Sequence, residues 1–207
     1  QVPDRLVHST TTLEVTAIDG LIIHESDWPR LPTMVMAFAG WPDAAESATG
    51  AVRHLVDRLG GTKFAEIDPE EFYVFTEVRP HLRKNLSGER ELTWPTNDFY
   101  RFQAKDPDKS LLLYVGTEPS LRWRAFSKIL LHIAEQSQVE MVVSLGALLD
   151  EVPHTREARV TGRASSQELL DKMEWLGVSD SNYEGPVGIH STFLDASTNM
   201  GLSHASL

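Results

Sequence analysis

A chain of 207 residues with a formal charge of -11, 41% apolar and 24% charged side chains, and no cysteine has the composition of a globular protein. Its acidity argues against nucleic acid or an anionic membrane surface as the main partner, because both select basic surfaces. The lack of cysteine excludes disulfides, thiolate catalysis and cysteine-ligated zinc.

In chain order, "TLEVTAI" (12–18) alternates and reads as a strand with one exposed face. "TMVMAFAGW" (33–41) is a continuous apolar run containing a glycine near its end, as expected of a strand buried on both faces. Asp43 with Glu46 three residues on forms a capping-box pattern. It opens a helix whose apolar positions Ala48, Val52, Val56 and Ala51, Leu55, Leu59 recur every four residues, with Gly60 and Gly61 as the stop. Residues 64–108 are punctuated by Pro69, Pro80, Pro95 and Pro107, so an inserted hairpin or lobe is expected there. "SLLLYVG" (110–116) is a second buried strand, and Ser120 is placed to cap a helix with Trp123, Phe126, Ile129, Leu130 and Ile133 as its buried stripe. "VEMVVSLG" (139–146) is a third such strand, and "ARVTGRA" (158–164) is half-exposed. Ser165 with Glu168 opens a short helix that ends at Gly177, and a further helix runs from near Pro186 to Met200.

This alternation predicts one three-layer α/β domain over 1–207, with a mainly parallel sheet between helices. "NMGLSHASL" reads as the end of a helix and the start of a strand, so a natural chain longer at its C-terminus is expected. No apolar run approaches the ~18 residues of a membrane helix, and "QVPDRLVHST" lacks a secretory apolar core, so a cytoplasmic protein is expected.

In open α/β sheets, ligands gather beyond the carboxyl ends of parallel strands. The three glycine-bounded strands lead into "GWPDAAE", "GTEPSLRWR" and "GALLDEVPHTR". Their candidate ligand-binding residues are Trp41, Asp43, Glu118, Arg122, Glu151 and Arg156, with Asp150 and His154 as candidate acid–base residues. Each has a plainer role available. Asp43 suits a helix cap, Glu118 the positive end of the second helix, Trp41 a core plug, and Asp150 and His154 a pinned loop. Arg122 sits against the dipole of the second helix, which a carboxylate or an anion would resolve. Arg79, His81, Arg83 and Lys84 form a basic cluster that reads as solvated charge. The chain has no Gly-x-x-x-x-Gly-Lys, Gly-x-Gly-x-x-Gly or His-Glu-x-x-His, and no metal or cofactor is assigned to it. "GLSHA" follows a helix, the wrong context for a nucleophile elbow.

The segments "FAGWPDAAESATGAVRHL", "IDPEEFYVFTEVRP", "GTEPSLRWRAF", "GALLDEVPHTREARVTG" and "YEGPVG" resemble the actinobacterial branch of the proteasome-assembly-chaperone family. The resemblance implies a phosphorylase/hydrolase-like α/β fold and homo-oligomers, trimers in this branch. In eukaryotic and archaeal relatives it implies scaffolding of the proteasome α-ring, partly through a C-terminal hydrophobic-Tyr-x tail. The present chain ends "HASL", without a tyrosine second from last. Two functions follow as expectations. One is an oligomeric binding or assembly protein with a protein partner. The other is an enzyme or binder for an anionic, phosphorylated small molecule at the strand-end rim, held by Arg122 with Asp150 or His154 moving a proton.

Overall fold

The computed structural model describes residues 18–25 and 27–207. In order these form β1 (Leu21–Ile23), β2 (Thr33–Ala39), α1 (Ser47–Leu59), β3 (Thr62–Ile67), β4 (His81–Lys84), β5 (Arg90–Thr93), β6 (Asn97–Phe102) and β7 (Leu111–Thr117). Then come α2 (Trp123–Gln136), β8 (Met141–Leu145), β9 (Thr161–Ala164), α3 (Gln167–Trp175), β10 (Ser179–Asp180), α4 (Ile189–Asn199) and β11 (Ser203–Ser206). Apart from Ile18, the strand expected at 12–18 falls outside the described residues. Among the described residues no helix is long and apolar enough to cross a membrane.

The sheet runs β1-β3-β6-β7-β2-β8-β11-β9-β10. Its centre, β7-β2-β8-β11, is parallel, as the three glycine-bounded runs require. β6, β3 and β1 extend it antiparallel on one side, and β9 pairs antiparallel with β11 on the other. Side chains alternate across each strand, so β2 feeds two cores. Met34, Met36 and Phe38 pack with Phe126, Ile129 and Ile133 of α2 and Phe193 of α4. Val35 and Ala37 face Ala48 and Val52 of α1. Helices therefore cover both faces, giving the three expected layers.

Residues 64–108 hold more of the core than their prolines suggest. Phe64, Ala65 and Ile67 of β3 and Phe99 of β6 are fully buried. What projects is a separate ribbon, β4 paired with β5 in register His81↔Thr93 to Lys84↔Arg90, with every residue exposed.

The helix starts differ from the expected caps for reasons outside local sequence. A short 3-10 turn, Ala44–Glu46, precedes α1, and Ala45 and Glu46 have φ of 55° and 54°. Glu46 thus sits at the cap itself, and the capping box does not form. Asp43 nevertheless caps α1, its Oδ1 accepting from the N–H groups of Ala48 (2.8 Å) and Thr49 (3.2 Å). Ser120 is not a cap. Its N–H and that of Leu121 donate to the carbonyl of Phe72, and α2 begins only at Trp123, behind a left-handed Arg122 (φ 56°). The third helix is capped by Ser166, because the Ser165 hydroxyl accepts instead from His204 N–H in β11.

Candidate functional site

β2 leads into α1 on one face of the sheet, and its neighbour β7 leads into α2 on the other. Adjacent parallel strands whose connections leave in opposite directions open a crevice between their carboxyl ends. A solvent-open cavity of about 400 Å³ lies there, within the ~300–1,000 Å³ common for small-molecule sites. It is lined by Trp41 after β2, by Thr117, Glu118 and Ser120 after β7, and by Glu77, Arg79 and His81 at the base of the β4–β5 ribbon. Trp41 is 61% exposed and forms a wall, not a core plug.

Glu118 is half-buried, and its Oε1 accepts from Ile189 N–H at 2.9 Å, in the first turn of α4. It offsets the positive end of α4 and not of α2. Burial pushes its carboxyl above the usual range, with the Ile189 N–H pulling the other way. Gly188 permits this contact, since a Cβ there would press on Glu118 Oε1.

Arg122 resolves its position against the helix dipole within the chain. It pairs with Glu71, lies 3.7 Å from Asp19 and sits over the Phe72 ring with 5.5 Å to the centroid. Asp43 is buried and engaged in its capping bonds. Asp150, Glu151, His154 and Arg156 are all exposed on the loop after β8, where Asp150 Oδ1 accepts from Glu151 N–H at 2.8 Å. Of the candidate residues, only Trp41 and Glu118 line the cavity. Among the described residues no group of three or more histidine, aspartate or glutamate side chains is placed to hold a metal ion.

Sequence reasoning missed two features. Arg79 and His81 read as solvated charge, and only the return of the ribbon to the strand ends brings them beside Trp41. Two histidines are also buried behind the rim. His204 of β11 lies 2.7 Å from Ser197 Oγ through Nδ1 and 2.9 Å from Ser144 Oγ through Nε2. His190 of α4 packs edge-on to Phe38, ring centroids 5.2 Å apart, and its Nε2 has no hydrogen-bond partner among the described residues. Burial lowers both pKa values, His190 to about 4 and His204 to about 3. Nothing in a lone histidine within a helical or strand pattern signals such pinning.

The layers and the cavity at the switch point of the sheet make this a three-layer α/β protein. The chain belongs to the PAC2 family, whose model matches residues 37–207. It is similar to a PAC2 family protein from Streptomyces avermitilis, with 40% identity, TM-score 0.74, and 84% of this chain and 73% of that chain covered. It is also similar to a proteasome-assembly chaperone homologue from Mycobacterium tuberculosis, at 35% identity and TM-score 0.75, covering 84% and 72%. PbaA from Pyrococcus furiosus, an archaeal homologue of proteasome-assembly chaperone, shares the fold at 16% identity and TM-score 0.60, covering 90% and 73%. No curated protein matches the chain.

Proposed function

We propose that this PAC2 family chain is a cytoplasmic, self-associating binding or assembly protein, with a trimer as the proposed form and other proteins as its partners. A role beside the proteasome, as in the name of its mycobacterial relative, belongs to this proposal. The observation that carries it is apolar surface at the rim. Trp41, Leu148 and Leu149 are 61%, 73% and 91% exposed on loops that follow adjacent strands, and large apolar side chains exposed at neighbouring strand ends suit protein contacts more than solvated loops. Affinity capture from native lysate, read by mass spectrometry, tests it. Wild type is expected to retain a stoichiometric partner or further copies of itself, and Trp41→Ala with Leu149→Asp is expected to lose most of what wild type retains. Equal retention by the variant would sink the reading.

A second reading is favoured by the lining of the cavity, where Arg79 and His81 stand with Trp41. An anionic or phosphorylated small molecule would be held there, by Arg79 rather than the internally paired Arg122. Asp150 or His154 would take part only if their loop reached over the cavity. Inorganic phosphate is expected to raise the Tm of wild type by a few degrees and to leave Arg79→Ala unmoved. The absence of any rise in wild type would remove this reading.

A further inference from the structure

The β4–β5 ribbon is built against its own stability. Two-stranded ribbons are marginal in water, and every residue of both strands of this one is exposed. Cross-strand partners share a face, so Leu82 with Leu92 and Lys84 with Arg90 lie on one side. The leucines are 61% and 51% exposed, and like charges directly opposite one another destabilise a strand pair. Among the described residues that face has no apolar cover and no ion-paired carboxylate. Residues 79–93 carry Arg79, Arg83, Lys84 and Arg90 against Glu89 and Glu91, in a chain whose formal charge is -11.

The complementary surface exists on the same chain. The loop after β8 offers Leu148 and Leu149 to solvent, followed at once by Asp150 and Glu151. Among the described residues Lys84, Arg90, Asp150 and Glu151 enter no ion pair. We infer that the ribbon of one copy docks on the Leu148–Glu151 loop of the next copy. Leucines would meet leucines, and Lys84 and Arg90 would meet Asp150 and Glu151. The inference rests on the self-association proposed above and names its surface. Made once between two copies the contact is head-to-tail and produces a ring when the rotation between copies closes; made reciprocally it produces a two-fold dimer. Its electrostatic half weakens as salt rises.

Size-exclusion chromatography with light scattering, at low salt and on the whole chain, reads this contact. Wild type is expected as an oligomer. Lys84→Glu with Arg90→Glu, or Asp150→Arg with Glu151→Arg, is expected to lower the mass to that of one chain, and all four reversals together to restore the oligomer. Leu92→Asp, on the apolar half, is expected to dissociate it as well. All these side chains are exposed, so circular dichroism spectra are expected to match wild type. An oligomer that survives either reversal, or that the fourfold variant fails to restore, overturns the ribbon–loop contact and leaves self-association standing. A wild type at the mass of one chain overturns both.

Discussion

Gly116→Ala is expected to lower stability by about 2–5 kcal/mol, overpacking joined to the loss of buried hydrogen bonds. Gly116 lies in β7 opposite Asn97 of β6. A Cβ there would fall on the Tyr114 hydroxyl and against Asn97 Oδ1. Neither can move aside, since Tyr114 is 0% and Asn97 1% exposed. Asn97 Oδ1 is also a junction, accepting from Tyr114 O–H at 2.9 Å and Thr117 N–H at 3.1 Å, with the Tyr73 hydroxyl 2.9 Å away. The added methyl therefore overpacks a filled site and strands buried hydroxyls, each costing about 1–3 kcal/mol when unpaired. Gly50→Ala is the control. Gly50 lies within α1 and a Cβ there meets nothing within 4 Å, so the better helix former is expected to stabilise by about 0.5–1 kcal/mol. Urea denaturation checks both. A Gly116→Ala midpoint close to wild type would mean that the junction carries little stability.

Acid is expected to unfold the protein through His190 and His204. Both are neutral in the fold, with pKa values lowered to about 4 and about 3 from an ordinary 6.5, first by burial. The unfolded chain therefore binds more protons than the native one between those values. Their stabilising effect is complete above pH 6.5, and is lost as pH falls through 6.5 toward 4 and 3. Near pH 5 unfolding takes up close to two protons at these sites, a slope of about 2.7 kcal/mol per pH unit. His204→Gln keeps a polar side chain between Ser197 and Ser144 and removes one titration, so its slope is expected to fall by about 1.4 kcal/mol per pH unit. Urea midpoints between pH 4.5 and 7.5 measure this directly. Parallel pH profiles for variant and wild type would show that His204 is not among the groups that titrate on unfolding.

The elements were legible where hydrophobic pattern alone decides. The runs read as buried strands at 33–41, 110–116 and 139–146 hold the neighbouring strands β2, β7 and β8, and the stripes of α1 and α2 follow from their spacing. What escaped was set by distant partners. Ser120 fails as a cap because the Phe72 carbonyl ties down the N–H groups of Ser120 and Leu121 and α2 starts only at Trp123, behind Arg122, and Ser165 fails because the His204 N–H uses its hydroxyl. The site divides the same way. Trp41 and Glu118 follow strand ends and could be named from sequence. Arg79 and His81 belong to the cavity only because β3 and β6 enter the sheet and return the ribbon to its rim. Arg122, chosen as an uncompensated charge, finds its counter-charges in Glu71 and Asp19, and no local pattern announces either.

The position of β11 sets an order on biosynthesis. β9 reaches the main sheet only through β11, which lies between it and β8. A ribosome makes residues 161–164 well before 203–206. β9 and β10 therefore have no route into the main sheet until β11, synthesised later, has paired with β8. Until β11 slides in, the outer edge of β8 stays open to any other extended chain nearby.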